Sequence, residues 1–268
     1  MGIMGIPDFE KINIRGVDFA NVTMDETVEI AKSFINDAEN KTHVIYTPNA
    51  EITQSCIDDK TGALFEIINS ADMVIPDGSG IVLASKILKT PLKQKVGGYD
   101  FGCNNLIPYL DEIGGTLFLL GSQEETVKKA AANLNEQYKN LKVFEHHGYF
   151  DFTETKNQED NQKVIDKINE SQADVVFVCF GGPASEKWIY KNKSKINKGI
   201  LIALGGTVDV IAGVKKYAPK FFIKLNLEWL YYYIKYPVRR KRFKALPRFV
   251  FGTMFARKNK KNKNKNKK

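Results

Sequence analysis

An aspartate in a short turn is the residue of this chain best placed to do chemistry. Residues 71–83 read ADMVIPDGSGIVL: an apolar run that ends at Pro76, then Asp77, a Gly-Ser-Gly turn and a second apolar stretch. The pattern predicts a strand, a tight turn and a helix, and open α/β sheets bind ligands outside the carboxyl ends of their strands. Asp77 is therefore a candidate acid or base. Taken alone, the local pattern favours a helix cap, since Asp is a preferred N-cap residue.

Other predicted turns also carry polar or glycine residues directly after an apolar run. They hold Thr47 and Asn49, then Gly121-Ser122, then residues 181–185, and then Gly205, Gly206 and Thr207. Glycine-rich turns let the backbone come close to a phosphate. Because the carboxyl ends of parallel strands share one edge of a sheet, we expect these turns to converge on one cleft.

Common cofactor and metal signatures are missing from the sequence. No turn matches the dinucleotide fingerprint or the phosphate loop of ATPases. The chain contains no Asp-x-Asp pair that would hold a divalent ion on a nucleotide diphosphate. His146 and His147 are adjacent, and neighbours on a strand face opposite sides, which makes a poor metal site. The sequence therefore predicts neither a cofactor nor a bound metal.

Apolar runs alternate with helical patterns along most of the chain. Strands are predicted at residues 43–46, 73–75, 116–120, 141–145, 173–180 and 199–204, with helical segments between them. Residues 173–180, ADVVFVCF, are nearly all apolar, as in a parallel strand buried on both faces. Ahead of these, residues 11–22 predict two short strands, and Thr23 and Glu26 have capping-box spacing. The alternation predicts an α/β fold, a mainly parallel sheet with helices on both faces.

The net charge of +9 is divided unevenly over the 268 residues. Residues 235–268 hold 15 Lys and Arg and no Asp or Glu, which leaves 25 basic and 31 acidic residues elsewhere. Such asymmetry indicates a polyanionic partner, namely a membrane surface, a nucleic acid or a phosphate-rich ligand. Three isolated cysteines favour a reducing compartment. The sequence predicts neither a signal peptide nor a transmembrane helix, and we expect a cytoplasmic protein or one attached to the membrane from that side.

The C-terminal end differs in character from the rest of the chain. Residues 221–243 mix Phe, Tyr and Trp229 with Lys and Arg, which suits a membrane interface, although these aromatics could equally pack a terminal helix onto the body. Residues 257–268 are almost entirely Lys and Asn, a composition typical of disorder. We predict an α/β core over residues 1–217, a membrane-associated appendage over 218–250 and a disordered tail over 251–268.

Several of these segments together resemble one known family. In chain order they are TPNAE from Thr47, PDGSGIV from Pro76, GGYDF from Gly97, LFLLGS from Leu117, GGPASEKWI from Gly181, GGTVDVIAG from Gly205 and APKFFIKLNLEWLYY from Ala218. From about residue 12 to residue 243 the chain resembles the WecG/TagA/CpsF glycosyltransferases of bacterial cell-surface polysaccharide synthesis. The resemblance implies a Rossmann-like body that binds a UDP-sugar and requires no metal.

The resemblance also implies a reaction. The best-known activity of that family moves N-acetylmannosamine from its UDP donor to N-acetylglucosaminyl-diphospho-undecaprenol, with inversion, in wall teichoic acid linkage-unit synthesis. Asp77 would then be the general base on the acceptor hydroxyl, which suits an inverting transfer. The implied partners are the UDP-sugar, the polyprenyl-diphosphate-linked acceptor and an anionic membrane surface at the inner face of the cell membrane. No nucleic acid is expected, and a homo-oligomer stays open.

Further site residues follow from the same resemblance. Polar turn residues would line the sugar pocket, the segment after residue 204 would surround the nucleotide, and C-terminal arginines would close over the diphosphate. The substrate-binding candidates are Thr47, Asn49, Gly78, Gly98, Asp100, Ser185, Gly205, Gly206, Thr207, Asp209, Arg239, Arg240 and Arg242. Two positions depart from the family pattern: Ser185 stands where the family has an active-site Gln, and Lys95 where an Arg is common.

Three alternatives stay open beside this interpretation. The change at Ser185 is compatible with a transferase of the same fold that uses another UDP-sugar for exopolysaccharide or capsule. It is also compatible with a non-catalytic homologue that binds lipid-linked sugars. The third and weaker alternative is nucleic-acid binding through the basic end, which no recognised nucleic-acid module accompanies.

Overall fold

The chain begins with a small antiparallel hairpin. The computed structural model describes residues 7–150, 158–237 and 240–265. In it, β1 (Lys11–Ile14) pairs with β2 (Val17–Ala20). Arg15 and Gly16 form the turn with φ angles of 57° and 97°, the left-handed conformation that two-residue hairpin turns need and that glycine adopts freely. The two strands predicted around this turn are confirmed.

A six-stranded parallel sheet forms the centre of the molecule. Its strands are β3 (Thr42–Tyr46), β4 (Met73–Val74), β5 (Thr116–Gly121), β6 (Lys142–His146), β7 (Val175–Cys179) and β8 (Gly199–Ala203). Across the sheet the order is β4-β3-β8-β7-β5-β6, so β8 lies between β3 and β7. The predicted parallel α/β architecture is confirmed.

Helices flank this sheet. Those of the core are α1 (Met24–Ile35), α2 (Ala50–Asp58), α3 (Ala63–Asn69), α4 (Ser79–Leu88), α5 (Ile107–Ile113), α6 (Glu124–Gln137), α7 (Gln158–Ser171), α8 (Ala184–Asn192) and α9 (Thr207–Ile211). A π-helix precedes α5, and a 3-10 turn follows α8. The predicted capping box opens α1, where Thr23 and Glu26 each bond the other's backbone N–H through the side chain.

The residues of β7 alternate between two apolar cores, one on each face of the sheet. Val176 and Val178 pack in a cluster with Trp188, whereas Val175 and Phe177 belong to a second cluster on the opposite face. These four side chains are fully buried. Burial on both sides explains why this segment lacks the polar alternation of a half-exposed strand.

A set of C-terminal helices packs against the core. They are α10 (Lys220–Lys224), α11 (Glu228–Lys235), α12 (Arg240–Phe243) and α13 (Ala245–Lys265). Helix α13 lies against α2 and α4, with Phe249 and Thr253 fully buried. Arg15 Nη1 donates to Gly252 O at 2.8 Å, which ties the N-terminal hairpin to this helix. None of the helices in the described ranges is long and apolar enough to cross a membrane.

Helix α13 continues past residue 251, where the predicted tail begins, and ends at Lys265; disorder of the tail stays a prediction. Packing of Phe249 and Thr253 holds the first half of this helix in place. Once a helix is nucleated, each further residue adds to it at little cost, and Lys is a good helix former. Composition alone missed this, since the docking partners lie on α2 and α4, far away in the sequence.

Candidate active site

A cavity of about 320 Å³ opens at the carboxyl edge of the sheet, where the turns after β3, β4, β7 and β8 meet. Most predicted site residues line it, namely Thr47, Asn49, Asp77, Gly78, Gly98, Asp100, Gly205, Gly206 and Thr207. The turn at Gly121-Ser122 is not part of the lining. The other strand-end turns therefore converge on one cleft, as the alternation of strands and helices predicted.

Asp77 lines the cavity directly after β4 and Pro76. Helix α4 begins at Ser79 with Gly78 as its N-cap and without a side-chain capping bond, so the interpretation of Asp77 as a helix cap was wrong. Burial raises the pKa of Asp77 to about 7, against the lowering effect of the Lys95 charge and the Gly98 amide. A carboxylate with a pKa near neutrality can accept a proton from a substrate hydroxyl.

Thr47 and Asn49 combine a structural role with a place in the cavity wall. Thr47 Oγ1 donates to Ala203 O at 2.8 Å, which joins the carboxyl ends of β3 and β8. Asn49 caps α2 by accepting from Glu51 N at 2.9 Å and Ile52 N at 3.0 Å through its side-chain oxygen. These bonds hold both side chains in fixed positions beside the cavity, which suits the binding of a defined ligand.

The loop that carries Gly98 and Asp100 is packed tightly against the strand ends. A Cβ at Gly98 would lie 3.0 Å from Thr47 Oγ1 and 3.1 Å from Leu204 Cδ2, so a larger residue would have to push these side chains aside. Asp100 Oδ2 accepts from the Tyr217 hydroxyl at 3.0 Å. This contact connects the cavity wall to the segment that leads into the C-terminal helices.

The C-terminal helices complete the cavity wall. The side chains they contribute are Glu228, Trp229, Tyr232, Tyr236, Phe243 and Leu246. Lys95 forms an ion pair with Glu228 in which the two side chains are only 18% and 19% exposed. Ser79 Oγ, in the first turn of α4, donates to Asn226 O at 3.1 Å. The cavity is thus enclosed by the core and the C-terminal helices together, and a partly buried ion pair joins the two beside Asp77.

Comparison with known proteins identifies the family. A model of the Glycosyl transferase WecG/TagA/CpsF family matches residues 12–264. The chain belongs to this family. The N-acetylglucosaminyldiphosphoundecaprenol N-acetyl-beta-D-mannosaminyltransferase of Staphylococcus aureus strain MW2 is 34% identical over 241 residues, covering 90% of this chain and 91% of that protein. Proteins of the same name from strains COL and MRSA252 show the same identity and coverage. The resemblance carried by the motifs is confirmed, and the protein is a glycosyltransferase.

In this WecG/TagA/CpsF family member, two predicted binding residues, Ser185 and Asp209, support the cavity without lining it. Ser185 is 1% exposed, and its Oγ accepts from Phe180 N at 3.0 Å, which fixes the turn after β7. Asp209 accepts from Ser122 Oγ at 2.6 Å and pairs with Lys215. Neither side chain faces the cavity, because each is already bonded to a backbone or neighbouring group. The sequence does not reveal these partners.

Glu186 is a cavity residue that sequence reasoning missed. It is 2% exposed, yet it lines the cavity in the first turn of α8. Its Oε2 has no hydrogen-bond partner among the described residues. Burial raises the pKa of Glu186 to about 7, so near neutral pH it can hold a proton for donation to a ligand oxygen. The available signal was its position in the GGPASEKWI motif, next to Ser185.

Among the three predicted arginines, Arg240 is the one whose side chain the structure describes, and it lies outside this cavity. Arg239 falls outside the described residues, and the side chain of Arg242 does too. Arg240 does not line the cavity. Its guanidinium lies 5.3 Å from the ring centre of Tyr233, and Nε donates to Tyr233 O at 3.3 Å. The described cations that do line the cavity are Lys95, Lys215 and Lys216.

Metal ligands are not grouped in the described part of the chain. No three His, Cys, Asp or Glu side chains there lie close enough together to hold an ion. His146 and His147, at the end of β6, have ring centres 4.4 Å apart and do not line the cavity. Metal independence stays a prediction, which the turnover rate in the presence of a chelator checks.

Proposed function

We propose that this glycosyltransferase moves N-acetylmannosamine from UDP-N-acetylmannosamine to N-acetylglucosaminyl-diphospho-undecaprenol, with inversion, as in wall teichoic acid linkage-unit synthesis. The observation that carries this proposal is Asp77, a carboxylate with a pKa of about 7 in the wall of a cavity at the carboxyl edge of the sheet. The names of the relatives support the choice of sugar and acceptor.

In the proposed reaction Asp77 accepts the proton of the acceptor hydroxyl. The hydroxyl oxygen then forms a bond to the anomeric carbon of the donor from the face opposite the leaving group. The bond between that carbon and the phosphate oxygen breaks, and UDP leaves with the electron pair, so the configuration inverts. A positioned general base typically contributes about 10²–10⁴-fold to such a rate.

The leaving UDP needs positive charge or N–H groups around its phosphates. Lys215 and Lys216 line the same cavity as the Gly205-Gly206 turn and Thr207. Gly205 has a φ of 52° and no neighbouring atom within 4 Å of where a Cβ would be, which leaves its backbone open to a ligand. These groups support a nucleotide diphosphate at the end of β8.

We also propose that the enzyme works as a peripheral protein on the inner face of the cell membrane. The acceptor named for the relatives is a lipid, and residues 235–268 hold 15 basic and no acidic residues. Each basic residue near an anionic surface contributes about 1 kcal/mol to membrane binding. The basic end would therefore hold the cavity close to its lipid-linked acceptor.

The test is UDP release from a panel of UDP-sugars with a lipid-diphosphate-N-acetylglucosamine acceptor. We expect acceptor-dependent release from UDP-N-acetylmannosamine, lost by about 10²–10⁴-fold in Asp77→Asn with donor affinity unchanged within a few fold. Asp166→Asn, an exposed residue on α7 outside the cavity lining, is the matched control and should behave as wild type. Normal turnover by folded Asp77→Asn contradicts the assignment of the base.

One observation favours a second candidate, a transfer from another UDP-sugar. Ser185 stands where the family has a Gln, and its hydroxyl is already bonded to Phe180 N. The resemblance implies an amide at this position, and Ser185 supplies none. Release from a different donor in the same panel would select this candidate, whereas tight UDP-sugar binding without release from any donor would select a non-catalytic homologue.

A further inference from the structure

A second cavity, of about 670 Å³, lies between α11 and α13. Its walls are formed by Trp229, Leu230 and Tyr233 of α11 and by Leu246, Val250 and Phe251 of α13. We call this cavity the appendage groove. On α13 the buried Phe249 and Thr253 hold the helix to the core. Leu246 and Val250 follow the same helical spacing and lie beside them, whereas Phe251 points away from that face. Several of them stay exposed, including Phe251 at 60%.

The appendage groove adjoins the catalytic cavity. Trp229, Phe243 and Leu246 line both. A ligand that extends out of the catalytic cavity past these three apolar side chains therefore reaches the groove.

The charges around the groove have one sign. Arg240 and Lys244 are the charged residues in its described lining, and no carboxylate accompanies them. Arg240 is held in place by the Tyr233 ring and backbone. An apolar channel with cations beside it suits a ligand that joins a hydrocarbon chain to an anionic group.

We propose that the appendage groove binds the first isoprenyl units of the lipid-linked acceptor. This inference rests on the proposed function, in which a polyprenyl-diphosphate sugar must present its hydroxyl to Asp77. The sugar then occupies the catalytic cavity, and the chain leaves it past Trp229 and Phe243 between α11 and α13. Burial of the chain against Leu230, Val250 and Phe251 removes apolar surface from water, which favours binding.

The bilayer itself is the competing occupant, and the structure separates the two roles. Ile234 and Phe255 are 60% and 65% exposed and line neither cavity. They are available to contact a membrane while the groove holds the chain of one acceptor. Phe251 and Phe255 lie one turn apart on α13 with similar exposure, which makes them a matched pair of positions.

The experiment compares two acceptors that share the diphospho-N-acetylglucosamine head and carry either a methyl group or an undecaprenyl chain, in the same detergent. For the wild type we expect the acceptor KM to be at least about tenfold lower with the long chain. Phe251→Glu and, independently, Val250→Trp, which fills the groove, should lose most of this difference and keep wild-type turnover of the methyl acceptor, which does not reach the groove. Phe255→Glu adds the same charge one turn away and should keep the difference.

Each outcome decides between the occupants. If Phe251→Glu and Val250→Trp keep the chain-length difference, the groove proposal is wrong while the proposed function stands. If they lose only binding to anionic vesicles, to the same degree as Phe255→Glu, the groove is a membrane contact. Absence of turnover by the wild type with either acceptor overturns the proposed function instead.

A readout without turnover tests the groove in that last case. The chain has two tryptophans, Trp229 in the groove and Trp188 buried in the core at 2% exposure. Undecaprenyl phosphate, which carries no sugar, should change Trp229 fluorescence in the wild type and in Phe255→Glu. Phe251→Glu should lose this change and is the main comparison here. Val250→Trp should lose it too, but its added indole fluoresces and has to be corrected for. An equal response in Phe251→Glu and the wild type overturns the proposal.

Discussion

At the scale of single residues, burial and the ion pair beside Asp77 together fix the pH range in which this proposed base would work. Burial raises the pKa of Asp77 to about 7, Lys95 lowers it, and Glu228 raises it. The protonated carboxyl cannot accept a proton, so we expect kcat/KM to fall as the pH drops below about 7 and to level off above it.

Variants of the Lys95–Glu228 pair should shift the acidic side of the pH profile of kcat/KM, here called the acid limb, in opposite directions. Glu228→Gln removes a negative charge that raises the pKa of Asp77, so the limb should shift to lower pH. Lys95→Met removes the opposing positive charge and should shift it to higher pH. The measurement is the pH profile of kcat/KM for both variants. A limb that stays in place in both would mean that another group is the base.

Sequence patterns found the site residues whose role depends on local context. Asp77, Thr47 and Asn49 each lie within three residues of the end of a strand, and this position brings them into the cavity. Ser185 and Glu186 are neighbours at the start of α8, yet only the second lines the cavity. Which of two adjacent side chains faces a ligand depends on the exact rotation of the helix, and that is set by tertiary packing.

At the scale of elements, His43 joins three parts of the fold at the start of β3. It stacks on Phe34 of α1 with ring centres 4.2 Å apart. Its Nε2 lies 3.0 Å from Asp37 Oδ2, and its Nδ1 lies 3.7 Å from Asp72 Oδ1, just ahead of β4. Burial alone would lower the pKa of His43, but the two carboxylates together raise it above 6.5.

This cluster predicts a pH-dependent contribution to stability. Because the folded pKa of His43 is raised, its stabilisation is complete below about pH 6.5 and is lost as the pH rises through the folded value. The pKa values of Asp37 and Asp72 are lowered, so their contribution is present above about pH 3.8 and fades in stronger acid. The cluster therefore stabilises the fold most between these two limits.

The variant His43→Gln tests this contribution. We expect its melting temperature to lie furthest below that of the wild type near pH 5, and the gap to narrow towards about pH 9 as His43 loses its proton. The measurement is thermal unfolding of both proteins across this range. A gap of constant size would show that His43 acts through packing on Phe34 rather than through its charge.

Element boundaries were predictable where the segment's own pattern decides them. Strand β7 lies inside the predicted apolar run 173–180, and α7 (Gln158–Ser171) is one of the helical segments predicted between the strands. Helix α13 was not predicted, because its position depends on docking against α2 and α4. The π-helix at Asp100–Leu106 was missed as well, since nothing in a glycine-containing loop specifies that geometry.

At the scale of the whole molecule, two truncations can separate the effect of the basic C-terminal residues from the effect of docking α13 on the core. Removal of residues 258–268 takes away much of the positive charge but keeps the buried Phe249 and Thr253. We expect this protein to stay folded and to lose most of its binding to anionic vesicles. Removal of residues 235–268 also strips α13 from α2 and α4, and should lower turnover of the lipid acceptor.

Vesicle sedimentation at physiological salt measures the first effect, with neutral vesicles as the control. The second effect is measured as turnover with the undecaprenyl acceptor. If both truncated proteins bind anionic vesicles as the full chain does, the basic end has no part in membrane attachment. Retention of nucleic acid by the full chain alone, at the same salt, would revive the nucleic-acid alternative.

The position of β8 has a consequence for how the chain reaches its native state. Residue 42 in β3 pairs with residue 199 in β8, and β8 also pairs with β7. Until β8 is synthesised, β4-β3 and β7-β5-β6 are two separate half-sheets, and β3 and β7 each present an unpaired inner edge. Such edges invite association with other chains. A nascent chain on the ribosome is therefore prone to aggregation until β8, the last strand of the sheet, pairs with both β3 and β7.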